Sequence, residues 1–196
     1  MEHISTHPET FLQRDKIASG GKSPFTFVIH FLIPVKTCVS MVLYYRANRH
    51  NPMDHSPLSE LLHDFMTNDD DRCRDERFKL IPCIVEGPFI VRQAVGSTPT
   101  LIGKKLSQIY YKGDGYYEVD IDIASSAVAN RVTGLALGYT KKMVIDLGFL
   151  LEGQFPDELP ERLLGTVRFT RVDLSSPVRI APHHNEGGGG IDNTLS

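Results

Sequence analysis

The segment 116–130, with the sequence YYEVDIDIASSAVAN, changes its hydrophobic period within a few residues. Its first half alternates apolar with acidic residues, which is the two-residue period of a half-buried strand. Beyond it, apolar residues recur every three or four positions, as on one face of an amphipathic helix. They are Val128, Val132, Leu135 and Tyr139. Ser125 or Ser126 stands where an N-cap residue accepts a hydrogen bond from a free backbone N–H, so we predict a strand that runs directly into a capped helix.

The rest of the chain shows mainly short strand patterns separated by turn signals. Predicted strands lie at 25–34, 39–46, 78–85, 89–95, 106–111, 116–123, 143–151 and 166–173. The glycines of the segment 112–115 indicate a hairpin, because glycine adopts positive φ without strain. Ser56 followed by Pro57 predicts the start of a helix, a short helix is predicted at 156–164, and 68–77 is expected to be a loop or a short exposed helix. The fold class is therefore α+β: a mostly antiparallel twisted sheet with an amphipathic helix at about 126–139 and shorter helices packed on it.

The composition limits both the class of protein and its domain organisation. The 196 residues are 41% hydrophobic and 23% charged, which is ordinary for a soluble globular protein. We divide the chain into a polar, flexible leader (1–23), a single folded domain (24–182) and a disordered glycine-rich tail (183–196). The net charge of −3 argues against a nucleic-acid partner, since such proteins usually present a strongly basic surface.

The cysteines and the apolar runs indicate the cellular compartment. Cys38, Cys73 and Cys83 are odd in number and form no CxxC pair, which is typical of free thiols in a reducing environment. The first ten residues lack the basic start and apolar run of a signal peptide. No apolar run approaches the roughly 20 residues of a spanning helix. We expect a cytoplasmic protein without a transmembrane segment, whose contact with membranes would be peripheral.

Several strings of the sequence match a known family pattern in order and spacing. They are RFKLIP at 77–82, VEGPFIV at 85–91, AVG at 94–96, LIGK at 101–104, YEVDIDI at 117–123, SSAVAN at 125–130, FLLEGQ at 149–154 and ELPERLLG at 158–165. Over roughly 27–176 the chain resembles the C-terminal domain of the Enhanced Disease Resistance 2 family of plants and protists. Phe89 stands where this family usually has a tryptophan.

The resemblance implies a functional context. In longer family members this domain follows a pleckstrin-homology domain and a START lipid-binding domain. The resemblance therefore implies a lipid-associated regulatory role, and it supplies no established catalytic residues.

The acidic residues of the predicted strand are the first candidates for chemistry. Glu118, Asp120 and Asp122 share one strand face, and such oxygen clusters bind hard cations such as Mg²⁺ or Ca²⁺. The alternative, which we favour, is an exposed face or cross-strand pairing with Lys104 or Lys112. The eight histidines form no ligand set, since the one pair at i, i+4, His3 and His7, lies in the predicted flexible leader; we therefore predict neither a metal site nor a cofactor.

The start of the predicted helix is the second candidate. Ser125, Ser126 and Asn130 could hold a phosphate or lipid headgroup, because free N–H groups at a helix N-terminus favour anions. Simple capping is the alternative for the two serines. Three cations could also meet anionic headgroups, although scattered surface charges are common. They are Lys104, Lys105 and Arg92.

Three functions are consistent with these features. We favour a non-enzymatic, lipid- or membrane-associated binding or regulatory module, in which the helix at 126–139 covers an apolar cavity on the sheet. One alternative is a divalent-cation-dependent enzyme that uses the acidic strand. The other is a protein-interaction module that recruits partners through 68–77 or the glycine-rich tail.

Overall fold

The computed structural model describes residues 3–21, 23–35, 39–46, 56–175 and 177–178. Within them, the α-helices are α1 (Phe11–Ala18), α2 (Pro57–Thr67), α3 (Asp71–Asp75), α4 (Phe89–Val95) and α5 (Ala127–Leu137). The strands are β1 (Thr26–Ile33), β2 (Val39–Arg46), β3 (Phe78–Glu86), β4 (Thr100–Leu101), β5 (Ser107–Gly113), β6 (Tyr116–Asp122), β7 (Val144–Leu151) and β8 (Leu163–Thr170). Short 3-10 helices occur at Ile4–Thr6, Ile123–Ser125, Thr140–Lys142 and Pro156–Glu158. None of the helices in these residues is long and apolar enough to span a membrane.

The strands form two sheets. The first has the order β2-β1-β6-β5 and the second has the order β4-β3-β7-β8. All neighbouring strands are antiparallel except β1 and β6, which run parallel. The predicted α+β class with mostly antiparallel pairing is confirmed, although the strands are divided between two sheets.

Aromatic rings fill the space between the two sheets. The ring centroid of Phe31 in the first sheet lies 6.2 Å from that of Phe149 in the second. Phe27 and Phe78 make a similar contact across the interface at 6.1 Å. Rings at such separations attract each other, and fully burying a side chain of this size contributes about 1.5–3 kcal/mol. The main core therefore lies between the sheets, as in a sandwich.

Residues 3–21 correct the prediction of a flexible leader, because they form a folded cover on the outer face of the first sheet. The 3-10 helix Ile4–Thr6 precedes α1, and Leu12 of α1 is fully buried. The ring of Phe11 contacts that of Tyr44 on β2, with 5.3 Å between centroids. The segment is mainly polar, so its sequence did not indicate that a few apolar side chains pack on the sheet. The predicted tail at 183–196 lies outside the described residues.

The segment 89–95 is helix α4 and not the predicted strand. Val91 and Val95, four residues apart, pack against a small second core, which is a helical period. Phe89 is 76% exposed, whereas a strand would place it on the same face as Val91. Gly96, with a φ of 69°, follows the last turn, where glycine commonly ends a helix. The predicted helix at 156–164 is likewise corrected, since only Pro156–Glu158 is helical and Leu163 begins β8.

Elements with strong local signals are confirmed. β1 and β2 form the predicted antiparallel pair. The Ser56 hydroxyl accepts a hydrogen bond from the Ser59 N–H at the start of α2, with Pro57 at the first helical position. β5 and β6 form the predicted hairpin, in which Gly115 has a φ of 77°.

Helix α5 begins where predicted but packs differently. Ser126 is its N-cap and accepts a hydrogen bond from the Ala129 N–H. No residue of α5 is fully buried, and Val128 of the predicted apolar face is 71% exposed. The helix packs on α4 through Leu135 and Ala136 near its end, while Ala129 and Leu137 pack against the main core.

Candidate functional site

Part of the predicted anion site comes together around a shallow depression of about 350 Å³. Lys104, Lys105 and Ser125 line it, next to Asp75 at the end of α3. Lys104 Nζ lies 3.7 Å from a carboxylate oxygen of Glu76, so the local charge is nearly balanced. Ion pairs between such exposed groups contribute little to stability. The depression is therefore polar but not strongly basic.

The two serines at the helix start are engaged by the protein itself. The Ser125 hydroxyl accepts a hydrogen bond from the Ser107 N–H at 2.9 Å and donates one to the Asp122 carbonyl at 2.6 Å. Ser126 caps α5. Asn130 is exposed on α5 and Arg92 is exposed on α4, and neither lines the depression. The six predicted residues are thus distributed over several surfaces.

An open groove of about 540 Å³ lies between the edge strands β2 and β8 of the two sheets. Phe11 of α1, Leu43 and Tyr45 of β2, and Val167 of β8 contribute to its lining. The lining is mainly apolar, and Arg46 is the one charged residue among the described residues that form it.

The acidic strand face is buried, which corrects the favoured interpretation of an exposed or lysine-paired face. Glu118 is fully buried and Asp120 is 5% exposed. Lys104, one of the expected partners, pairs with Glu76 instead. Asp122 is half-buried, and its carboxylate accepts a hydrogen bond from the Ala124 N–H at 2.8 Å.

The parallel pairing of β1 with β6 brings a histidine to these carboxylates. His30 lies opposite Asp120 in the strand register, and Val28 lies opposite Glu118. His30 Nδ1 is 2.9 Å from Asp120 Oδ1 and 3.9 Å from Glu118 Oε1. Its other ring nitrogen, Nε2, is 2.8 Å from the Ser40 hydroxyl on β2. We call His30, Glu118 and Asp120 the buried cluster.

The N-terminal segment closes the buried cluster from outside. The backbone N–H groups of Ile4 and Ser5 donate to the two carboxylate oxygens of Glu118, each at 2.9 Å. His3 Nδ1 lies 3.5 Å from Glu118 Oε2, and its ring stacks on Tyr111 with 4.3 Å between centroids. Residues 3–5 therefore cover the cluster and satisfy part of its hydrogen-bonding capacity.

Burial dominates the electrostatics of the cluster. Burial and the neighbouring Asp120 carboxyl raise the pKa of Glu118 to about 8, and the Ser5 N–H opposes this shift. Burial and the charge of Glu118 also raise the pKa of Tyr44 to about 12. Two buried carboxyl groups this close disfavour double ionisation, so the site favours a bound proton or a cation.

The sequence reasoning missed His30 as a member of this site. The local signal was a histidine flanked on both sides by apolar residues in strand β1. A buried histidine usually requires a partner, and that requirement points to a polar residue on a neighbouring strand. Which strand it is depends on a pairing between residues 90 positions apart.

Comparison with known proteins identifies the family. The sequence matches the family described as "Protein ENHANCED DISEASE RESISTANCE 2, C-terminal" over residues 1–173. It is similar to "Protein ENHANCED DISEASE RESISTANCE 2-like" of Arabidopsis thaliana, with 42% identity over 160 residues, which cover 82% of this chain and 21% of that protein. The chain thus spans about a fifth of the length of this relative. No solved structure matches the chain. The chain belongs to the Enhanced Disease Resistance 2 C-terminal family.

Proposed function

We propose that this chain is a non-enzymatic binding module that associates peripherally with anionic membrane surfaces through the start of α4. The observation that carries the proposal is the exposure of two adjacent apolar side chains. Phe89 is 76% exposed and Ile90 is 56% exposed, while Val91 is fully buried. The helix is therefore anchored on one side and exposes two apolar side chains on the other. We call Phe89 and Ile90 the apolar tip.

The turn before α4 holds this tip in place. Gly87, with a φ of 157°, has a backbone conformation that favours glycine, and a Cβ there would lie 3.1 Å from the Ile84 side chain. Pro88 follows as the N-cap residue of α4, and its ring restricts the backbone further. A tip that is already fixed in space loses little conformational entropy when it enters a membrane interface.

Burial and charge together give a reversible interaction. Fully burying a side chain such as Phe89 or Ile90 contributes about 1.5–3 kcal/mol. Arg92, exposed on the same helix, can add about 1 kcal/mol at an anionic surface. Because the whole chain carries a net charge of −3, the attraction has to be local to this tip. The lipid-associated context implied by the family resemblance supports the same role.

Vesicle flotation tests the proposal. The purified chain is mixed with phosphatidylcholine vesicles that contain or lack phosphatidylserine. We expect the unchanged chain to float with the anionic vesicles. Phe89→Ser and Ile90→Ser should each weaken binding by roughly tenfold or more. Arg92→Gln should reduce the dependence of binding on phosphatidylserine.

Ile17→Ser provides the matched control, because Ile17 is 79% exposed on a different helix, α1. This variant should float like the unchanged chain. The proposal is refuted if the unchanged chain does not float with anionic vesicles, or if Phe89→Ser and Ile17→Ser have equal effects.

A further inference from the structure

We propose that the buried cluster, His30 with Glu118 and Asp120, is a binding site for a divalent first-row transition-metal ion of the Zn²⁺ type. The proposal is independent of the membrane role of α4. It rests on the geometry of the ligand atoms, on the orientation of the imidazole, and on the charge and burial of the site.

The ligand atoms already have the spacing that a metal ion needs. One imidazole nitrogen and one oxygen from each carboxylate lie within 4.8 Å of one another. Metal–ligand distances of about 2.0–2.2 Å place the ligand atoms of a tetrahedral site about 3.4 Å apart. The separations of His30 Nδ1 from Asp120 Oδ1 and Glu118 Oε1, 2.9 and 3.9 Å, bracket that value. A change of about 0.5 Å would bring each of these two separations to that value.

The second nitrogen of His30 has the partner expected for a metal-binding histidine. Nε2 is 2.8 Å from the Ser40 hydroxyl. When Nε2–H donates to that oxygen, Nδ1 carries a lone pair directed at the carboxylates. Metal-binding histidines typically donate their other ring N–H in this way, which fixes both the tautomer and the ring orientation.

The two buried carboxylates of the cluster favour the binding of a cation. The side chains of Glu118 and Asp120 are 0% and 7% exposed. Within the described part of the chain, their ion-pair partners are His3 and His30, and no lysine or arginine pairs with them. A divalent ion would neutralise two carboxylates that are otherwise expensive to bury.

His3 lies beside the cluster and marks a path to solvent. Its Nδ1 is 3.5 Å from Glu118 Oε2, the oxygen that also accepts a hydrogen bond from the Ser5 N–H. Its side chain is 20% exposed, in contrast to the three members of the cluster. An ion could therefore enter beside His3, and binding would tie the N-terminal segment to the first sheet.

The donor types select the class of metal. One imidazole with two carboxylates suits Zn²⁺, Co²⁺ or Mn²⁺, whereas Mg²⁺ and Ca²⁺ prefer all-oxygen sites. We therefore expect Zn²⁺ to bind in preference to Mg²⁺ and Ca²⁺.

Titration of the full chain, first stripped with a chelator, tests the site. We expect calorimetry to show one equivalent of tightly bound Zn²⁺ and a raised midpoint of thermal unfolding, without comparable effects of Mg²⁺ or Ca²⁺. Asp120→Asn keeps the size of the side chain and its hydrogen bond to His30 but removes a charged ligand. It should lower the Zn²⁺ affinity by more than about 100-fold.

Asp122→Asn is the matched control, two residues further along the same face of β6 and outside the cluster. It should bind Zn²⁺ like the unchanged chain. Co²⁺ provides a second measurement on the unchanged chain, because tetrahedral coordination gives intense visible absorption, and this does not depend on whether Asp120→Asn folds.

Tight Zn²⁺ binding and the Co²⁺ spectrum, with loss of binding in Asp120→Asn alone, would support the site. Absence of both signals in the unchanged chain would overturn it. Undiminished Zn²⁺ binding in Asp120→Asn would overturn it as well, because the ion would then be held by other histidines of the chain.

Discussion

Gly103→Ala tests how closely the loop before β5 approaches α3. A Cβ at position 103 would lie 2.4 Å from the backbone Cα of Asp75 and 2.6 Å from Gln108 Nε2. Ordinary contact begins at 3.4 Å, so the backbone of Asp75 would have to move by about 1.0 Å. Such overpacking typically costs about 1–3 kcal/mol. The Asp75 carboxylate also accepts a hydrogen bond from the Tyr110 hydroxyl at 2.7 Å, which the movement would disturb.

Gly134→Ala is the matched substitution, and we expect it to increase the stability of the fold. Gly134 is exposed in the middle of α5, and no atom lies within 4 Å of its added Cβ. Alanine there should stabilise the chain by about 0.5–1 kcal/mol, because glycine loses more backbone entropy in a helix. For a chain of this size, 1 kcal/mol corresponds to about 2–4 °C in the midpoint of thermal unfolding.

Urea unfolding followed by far-UV circular dichroism measures both variants, since the chain contains no tryptophan. Gly103→Ala should lower the urea midpoint and Gly134→Ala should raise it, with unchanged slopes. If Gly103→Ala is as stable as the unchanged chain, or more stable, the inferred close approach is refuted.

Two further predictions concern the core and a half-buried carboxylate in the 3-10 helix Pro156–Glu158. Phe78→Ala should lower the free energy of unfolding by about 3–5 kcal/mol, because Phe78 is fully buried against Phe149; a loss below about 1 kcal/mol in urea unfolding would contradict this packing. The pKa of Glu158 is lowered, because Arg77 and two backbone N–H groups outweigh the effect of partial burial. Glu158 should therefore stabilise the fold above about pH 4.3, and this contribution should disappear as the pH falls through the lowered pKa. Glu158→Gln should cost about 1–3 kcal/mol at neutral pH and flatten the acid branch of a stability–pH curve; an unchanged acid branch would argue against this assignment.

Local signals in the sequence predicted the elements that depend on local chemistry. The alternation along β6, the Asp114-Gly115 turn and the Ser126 cap depend on side chains or backbone angles within a few residues. Each of these elements can therefore be predicted without knowledge of the rest of the chain.

Helix α4 shows where local patterns become ambiguous. Its seven residues are too few to separate a period of two from one of 3.6, because Val91 and Val95 satisfy both. In the structure Val91 is buried with Ile84 and Met143 in the second core, whereas Phe89, two residues earlier, is 76% exposed, and a strand would place both on one face. Tertiary packing thus determined that this segment is a helix, although its residue types favour a strand.

The buried cluster depends on information that no short window contains. His30 and Asp120 meet only because β1 and β6 run parallel in a particular register. A one-residue slip in that register would turn one of the two side chains into the core between the sheets. The pattern of β6 alone therefore identified an acidic face but could not show what covers it.

Residues 3–5, which cover the buried cluster, bear on the domain boundary that the sequence predicts near residue 24. Glu118 is fully buried, residues 3–5 lie over it, and two of their N–H groups are its hydrogen-bond donors. Without them, a buried acceptor would lose its partners, which costs about 1–3 kcal/mol or more for a charged group. The family match also begins at residue 1, well before the strands that carry the recognisable strings. The N-terminal segment and the first sheet are therefore one hydrogen-bonded unit, and a boundary between them would divide the buried cluster from its cover.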